Sequence, residues 1–94
     1  MFLTTGQRLI LADGTRIENG EAGYADGFLW CYLPGMSMAQ AGTLFFDPAK
    51  TSRIIFEYGE MSETYNGMTD CRNIRIDADG QIAVCMVKGD DTDV

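Results

Sequence analysis

The sequence contains no histidine. That absence removes the Ser-His-Asp and Cys-His arrangements of nucleophilic catalysis, together with every metal site that needs an imidazole. Positive charge is scarce as well, with seven Lys and Arg against fourteen Asp and Glu for a net charge of −7. Such a surface repels phosphate backbones, so direct nucleic-acid binding is not expected, while solubility and attraction to a basic protein are. Long apolar runs are missing. None exceeds the six residues of Phe28–Leu33, against the roughly 20 that a membrane-spanning helix requires. Met1-Phe2-Leu3-Thr4-Thr5-Gly6 has neither the basic residues nor the apolar stretch of a signal peptide, which gives the expectation of a cytosolic protein with no membrane partner. Cys31, Cys71 and Cys85 are an odd set without a CxxC pair. They suit neither a disulfide framework nor a zinc site, and within apolar, strand-like segments they read as small buried side chains.

What the chain does have is a core-forming composition and repeated turn chemistry. At 94 residues and 46% hydrophobic content, it is expected to form a single compact β-rich domain over 1–88, followed by an acidic tail at 89–94. Ala-Asp-Gly occurs at 12–14, 25–27 and 78–80, and Tyr65-Asn66-Gly67 is similar. Asp-Gly and Asn-Gly between β-prone runs signal hairpins, either as two-residue type I′ loops or as three-residue loops with Gly in a left-handed bulge.

The three-residue form is expected because of the pairings it makes. It sets Leu9 and Leu11 on one face with Thr15 and Ile17, and it sets Ile74 opposite Val84 and Ile76 opposite Ile82. Around Asn66-Gly67 it brings Glu57 opposite Arg75 and Glu60 opposite Arg72, with Phe56 against Ile76 and Tyr58 against Ile74. A three-strand meander near 52–64, 68–77 and 81–88 follows. Its buried face would hold Ile54, Phe56, Tyr58, Ile74, Ile76, Ile82, Val84 and Met86, and the last strand, apolar on both sides, needs a second cover. At the middle triplet the same loop gathers Tyr24, Phe28, Trp30 and Tyr32 on one face, opposite Leu29, Cys31 and Leu33. Ser37 suits the N-cap of a helix over about 38–46, with Met38, Ala41, Leu44 and Phe45 on its apolar stripe and Asp47-Pro48 as its stop. The expected fold class is mainly β with one short helix (α+β), an antiparallel β-roll or sandwich of five to six strands with Ala-Asp-Gly hairpins.

Little catalytic chemistry is written in these residues. No phosphate-binding glycine loop or dinucleotide fingerprint is present. Glu57, Glu60 and Glu63 could supply an acid–base pair, but Arg72 and Arg75 opposite them favour solvated cross-strand pairing. Asp77-Ala78-Asp79-Gly80 departs from a calcium loop, because its glycine comes too early and no Glu closes it. The expectation is a non-enzyme without a metal or cofactor. Tyr24, Phe28, Trp30 and Tyr32 stay open between two readings. They form either the core of a small domain or a platform for a base-like ligand or a protein hot spot, where Trp, Tyr and Arg are enriched, and Arg72 and Arg75 are counted with them as candidate binding residues. A small-molecule site in so short a chain would fall between subunits, so a homo-oligomer is one option.

Leu9-Ile10-Leu11-Ala12-Asp13-Gly14-Thr15, Gly23-Tyr24-Ala25-Asp26-Gly27 with Leu29-Trp30-Cys31, and Phe46-Asp47-Pro48-Ala49-Lys50-Thr51 carry a resemblance, joined by Tyr58-Gly59-Glu60-Met61 and Ile76–Gly80. Over most of its length the chain resembles short, functionally uncharacterised proteins encoded by phages and prophages of Gram-positive bacteria. The resemblance implies a phage accessory protein in the cytoplasm of an infected bacterial host, and it transfers no catalytic residue. Two functions are compatible with it. One is a counter-defence inhibitor that acts by stoichiometric binding, blocking a host protein or sequestering a small nucleotide. The other is a virion tail, baseplate or assembly component. Mimicry of DNA is disfavoured by the dispersal of the carboxylates.

Overall fold

A computed structural model of the chain describes residues 6–89. The expected acidic tail at 89–94 therefore falls outside the described residues except for Gly89, as do Met1–Thr5. Eight strands and two short helices follow one another: β1 (Arg8–Ile10), β2 (Arg16–Glu18), β3 (Glu21–Ala25), β4 (Phe28–Leu33), α1 (Met38–Phe45), α2 (Pro48–Thr51), β5 (Arg53–Tyr58), β6 (Met61–Asn66), β7 (Asp70–Ile76) and β8 (Ile82–Val87). They form two four-stranded antiparallel sheets, β2-β1-β5-β6 and β3-β4-β8-β7. The mainly β expectation holds, but a single roll of five or six strands does not.

One apolar core joins the inner faces. Leu9, Leu11, Ile17, Ile54 and Phe56 come from the first sheet or its loops, and Leu29, Cys31, Leu33, Ile82, Val84 and Met86 from the second, with Ala41 and Phe45 of α1 closing one side. Of the face expected to be buried, Tyr58 and Ile74 are only half-buried, and Ile76 is 63% exposed. Ser37 caps α1 as its sequence suggests. Its hydroxyl accepts from the Gln40 amide while Gln40 Oε1 accepts from the Ser37 amide, a reciprocal capping box. Met38 turns outward, 42% exposed, so the apolar stripe of α1 narrows to Ala41, Leu44 and Phe45. Asp47-Pro48 does more than stop the helix. Asp47 accepts from the Ala49 amide and Pro48 opens α2 at its first turn, where a missing N–H is harmless.

Registers sort the loop expectations. Leu9 pairs with Ile17 and Ile76 with Ile82, and Leu11 N–H donates to Thr15 O as Asp77 N–H does to Gln81 O. Both registers leave three residues between the paired strands. At the middle triplet the loop is shorter: Ala25 pairs with Phe28 and Tyr24 with Leu29, leaving Asp26 and Gly27 alone in the turn with φ of 56° and 84°. Two successive positive φ values define a type I′ turn, and Asp-Gly tolerates them.

The expected meander is overturned. Residues 52–64 are not one strand but the start of a β5–β6 hairpin, turned at Gly59-Glu60, where Tyr58 pairs with Met61. Gly59, at φ 59°, supplies the left-handed first position of a two-residue loop. Asn66-Gly67 is a crossover between sheets. Gly67 N–H donates to Ser52 O, and Gly67 O accepts from Thr69 and Gly89. Glu57 therefore faces Arg8 and Ser62 instead of Arg75, Glu60 sits in the turn instead of opposite Arg72, and Phe56 pairs with Leu9 and Glu63 instead of Ile76.

Candidate functional site

Strand alternation in β4 divides its six residues cleanly. Leu29, Cys31 and Leu33 are fully buried in the core, so Phe28, Trp30 and Tyr32 stand on the opposite, outer face of their sheet. Trp30 pairs with Cys85 and Tyr32 with Ala83 on β8, and Arg75 of β7 pairs with Ala83 from the other side. The Arg75 guanidinium carbon lies 4.9 Å from the Trp30 ring centroid. That contact spans β8 over Ala83 and Cys85, which are buried on the face turned away from the core cluster. The cover expected for the second side of the last strand is thus an arginine–tryptophan stack from its own sheet.

Arg72 arrives at the same face by a different device. The β7–β8 register shifts between Cys71 and Asn73, which leaves Arg72 as the extra residue of a bulge. Its Nε donates to Asp70 Oδ2 at 3.0 Å. Burial pushes the Cys85 thiol up, and the Arg72 and Arg75 charges both act against that shift, so the two arginines flank this cysteine. Arg75 forms no ion pair among the described residues. Its guanidinium, set over the indole ring, carries donors that no acidic side chain among the described residues engages.

Tyr24 does not belong to this group. The two-residue turn rotates it to the inner side of β3, and it reaches across the end of the core to Tyr65 of β6, with ring centroids 6.2 Å apart and planes 17° from parallel. The two edge strands of different sheets meet here around a cavity of about 360 Å³ lined by Tyr24, Thr64, Tyr65, Asn66, Met68 and Lys88. Beside it Glu63 accepts hydrogen bonds from both the Tyr58 and the Tyr65 hydroxyl. The bond to Glu63 raises the Tyr58 phenol. Burial first, and then the same carboxylate, raises Tyr65. Tyr65, Glu63 and Lys88 escape a reading of the sequence that runs 52–64 as one strand. The glycine in Tyr58-Gly59-Glu60-Met61 was the signal for the missing hairpin.

Two other carboxylates are engaged in structure. Glu57 Oε1 accepts from Arg8 at 3.3 Å on the outer face of the first sheet. Asp13 accepts the Thr15 amide at 3.0 Å and meets Lys50 at 3.1 Å, which hold its pKa down at about 2. Among the described residues no group of three or more Cys, Asp or Glu side chains is placed to hold a metal ion, and no helix is long and apolar enough to cross a membrane. A cavity of about 330 Å³ along α1, lined by Met36, Ala39, Gln40, Thr43 and Leu44, carries no charged group. No family model, curated protein or solved structure matches the chain.

Proposed function

We propose that the protein acts by stoichiometric binding, without catalysis, and that the outer face of the β3-β4-β8-β7 sheet is the surface it presents to a protein partner. The observation that carries this reading is the row Phe28, Trp30 and Tyr32 outside the core, with Arg75 stacked on Trp30 and free of any ion pair among the described residues. Trp, Tyr and Arg are the residues that dominate binding energy at protein interfaces, and here they are held on a rigid strand pair. A carboxylate on the partner fits the unengaged donors of Arg75, and apolar side chains fit the rings beside it. Taken with the resemblance to phage-encoded proteins, the partner is a host protein and the role is that of a counter-defence inhibitor in an infected Gram-positive cell.

The test is affinity capture from a lysate of such a cell with the wild-type protein and with Trp30→Ala. The reading expects one identified host protein held at one-to-one stoichiometry by the wild type and released by a variant that still folds. Equal capture by both would overturn it. A second reading, a virion or assembly component, is favoured by β6, an edge strand whose residues are exposed except for the half-buried Tyr65 and whose unpaired backbone could join another chain. Presence of the protein in purified phage particles would select that reading over the first.

A further inference from the structure

A different part of the molecule carries a second site. We propose that the mouth between Tyr24 and Tyr65 binds a small planar heteroaromatic anion of the nucleoside-monophosphate class. The two rings are nearly parallel, 17° apart in plane with centroids separated by 6.2 Å. Tyr24 is 49% exposed on an edge strand, so its ring offers a stacking surface to a base entering the cavity.

The polar groups of the cavity complete the match. Lys88 is an exposed residue of the lining and makes no ion pair among the described residues, so its ammonium is available to an anion bound there. Asn66 offers both a donor and an acceptor to the edge of a base, and Thr64 offers a hydroxyl. The apolar wall is Met68, 1% exposed. Size and charge narrow the class further. A cavity of about 360 Å³ lies near the lower end of ligand pockets, roughly 300–1,000 Å³. A net charge of −7 disfavours polyanions, so one phosphate on one base is the occupant that fits. A cationic ligand would face Lys88.

The test is calorimetric titration of the full chain with AMP, UMP, adenosine and inorganic phosphate. The expected result is saturable binding of at least one monophosphate with Kd below about 1 mM, weaker binding of adenosine, and no saturation by phosphate alone. Tyr24→Ala weakens that monophosphate about tenfold or more through loss of stacking. Lys88→Ala reduces AMP to the affinity of adenosine. Both side chains are exposed, and an unchanged melting curve shows that each variant is folded. Trp30→Ala, on the opposite side of its sheet, leaves nucleotide binding intact, so this site and the protein-binding face fail or stand separately. Absence of saturation by either monophosphate below about 1 mM overturns the proposal. So does binding that Lys88→Ala leaves unchanged, or that Trp30→Ala abolishes.

Discussion

Leu29 and Trp30 are neighbours in sequence and opposites in environment, and the contrast can be measured. Leu29 is 0% exposed within the core, so Leu29→Ala should cost about 2–5 kcal/mol in urea unfolding, from lost transfer energy and a residual cavity. Trp30→Ala loses the Arg75 stack and part of the cover over Ala83 and Cys85 and should cost about 1–2 kcal/mol, less than Leu29→Ala. Comparable losses for the two would return the aromatic row to the core. The thiols offer a second test. Burial pushes Cys31 far up, and it raises Cys71 and Cys85 as well. Because the thiolate is the reactive form, a thiol reagent should modify half-buried Cys71 first and reach Cys31 only on unfolding. Asp13 sets an acid limb. Its folded pKa of about 2 lies below the ordinary value of 3.8, so its contribution is full above about pH 4. It fades as pH falls toward 2, because the unfolded chain takes up the proton first. Asp13→Asn should lower the melting temperature at pH 6 and flatten the loss between pH 4 and pH 2.

Helix α1 was legible before the fold was known, because its signal is local: Ser37 and Gln40 satisfy each other's backbone amides. Ser37→Ala should therefore cost about 1 kcal/mol, read by chemical denaturation. Hairpins were legible as turns and not always as registers. Asp26-Gly27 serves a two-residue or a three-residue loop equally well, and gathering four aromatics on one face favours the wrong one. Glu21 held the answer. A three-residue loop would set Glu21 opposite Cys31 on the buried face, whereas the observed register pairs it with Tyr32 on the outside and sends Ala22 to the core. A buried carboxylate outweighs any preference among aromatic neighbours. The β5–β6 hairpin was hidden for the opposite reason. Its register places Glu63 on the inner side of its sheet beside Phe56, an unfavourable neighbour until the Tyr58 and Tyr65 hydroxyls come to the carboxylate.

Assembly of the whole molecule from these hairpins lay beyond local signals. Asn66-Gly67 has the composition of a hairpin turn, yet it carries the chain from one sheet to the other, because Gly67 is tied to Ser52 and Gly89 and not to a neighbouring strand. Nothing within 65–69 specifies which sheet the next strand joins; that follows from how both sheets bury their inner faces together. The same assembly divides the aromatic residues into two surfaces. Tyr24 goes to the mouth between the sheets, while Phe28, Trp30 and Tyr32 stay outside with Arg72 and Arg75. Their clustering was visible in the sequence, and their separation required the register.

Trp30 is the one tryptophan of the chain, so its fluorescence reports on the outer face alone. Acrylamide quenching of Trp30 in the free protein and in complex with the captured host protein is the decisive measurement. Ready quenching in the free protein, with clear protection in the complex, is the expected outcome. A tryptophan shielded already in the free protein, or quenched equally in both states, would mean that this face is not where the protein binds.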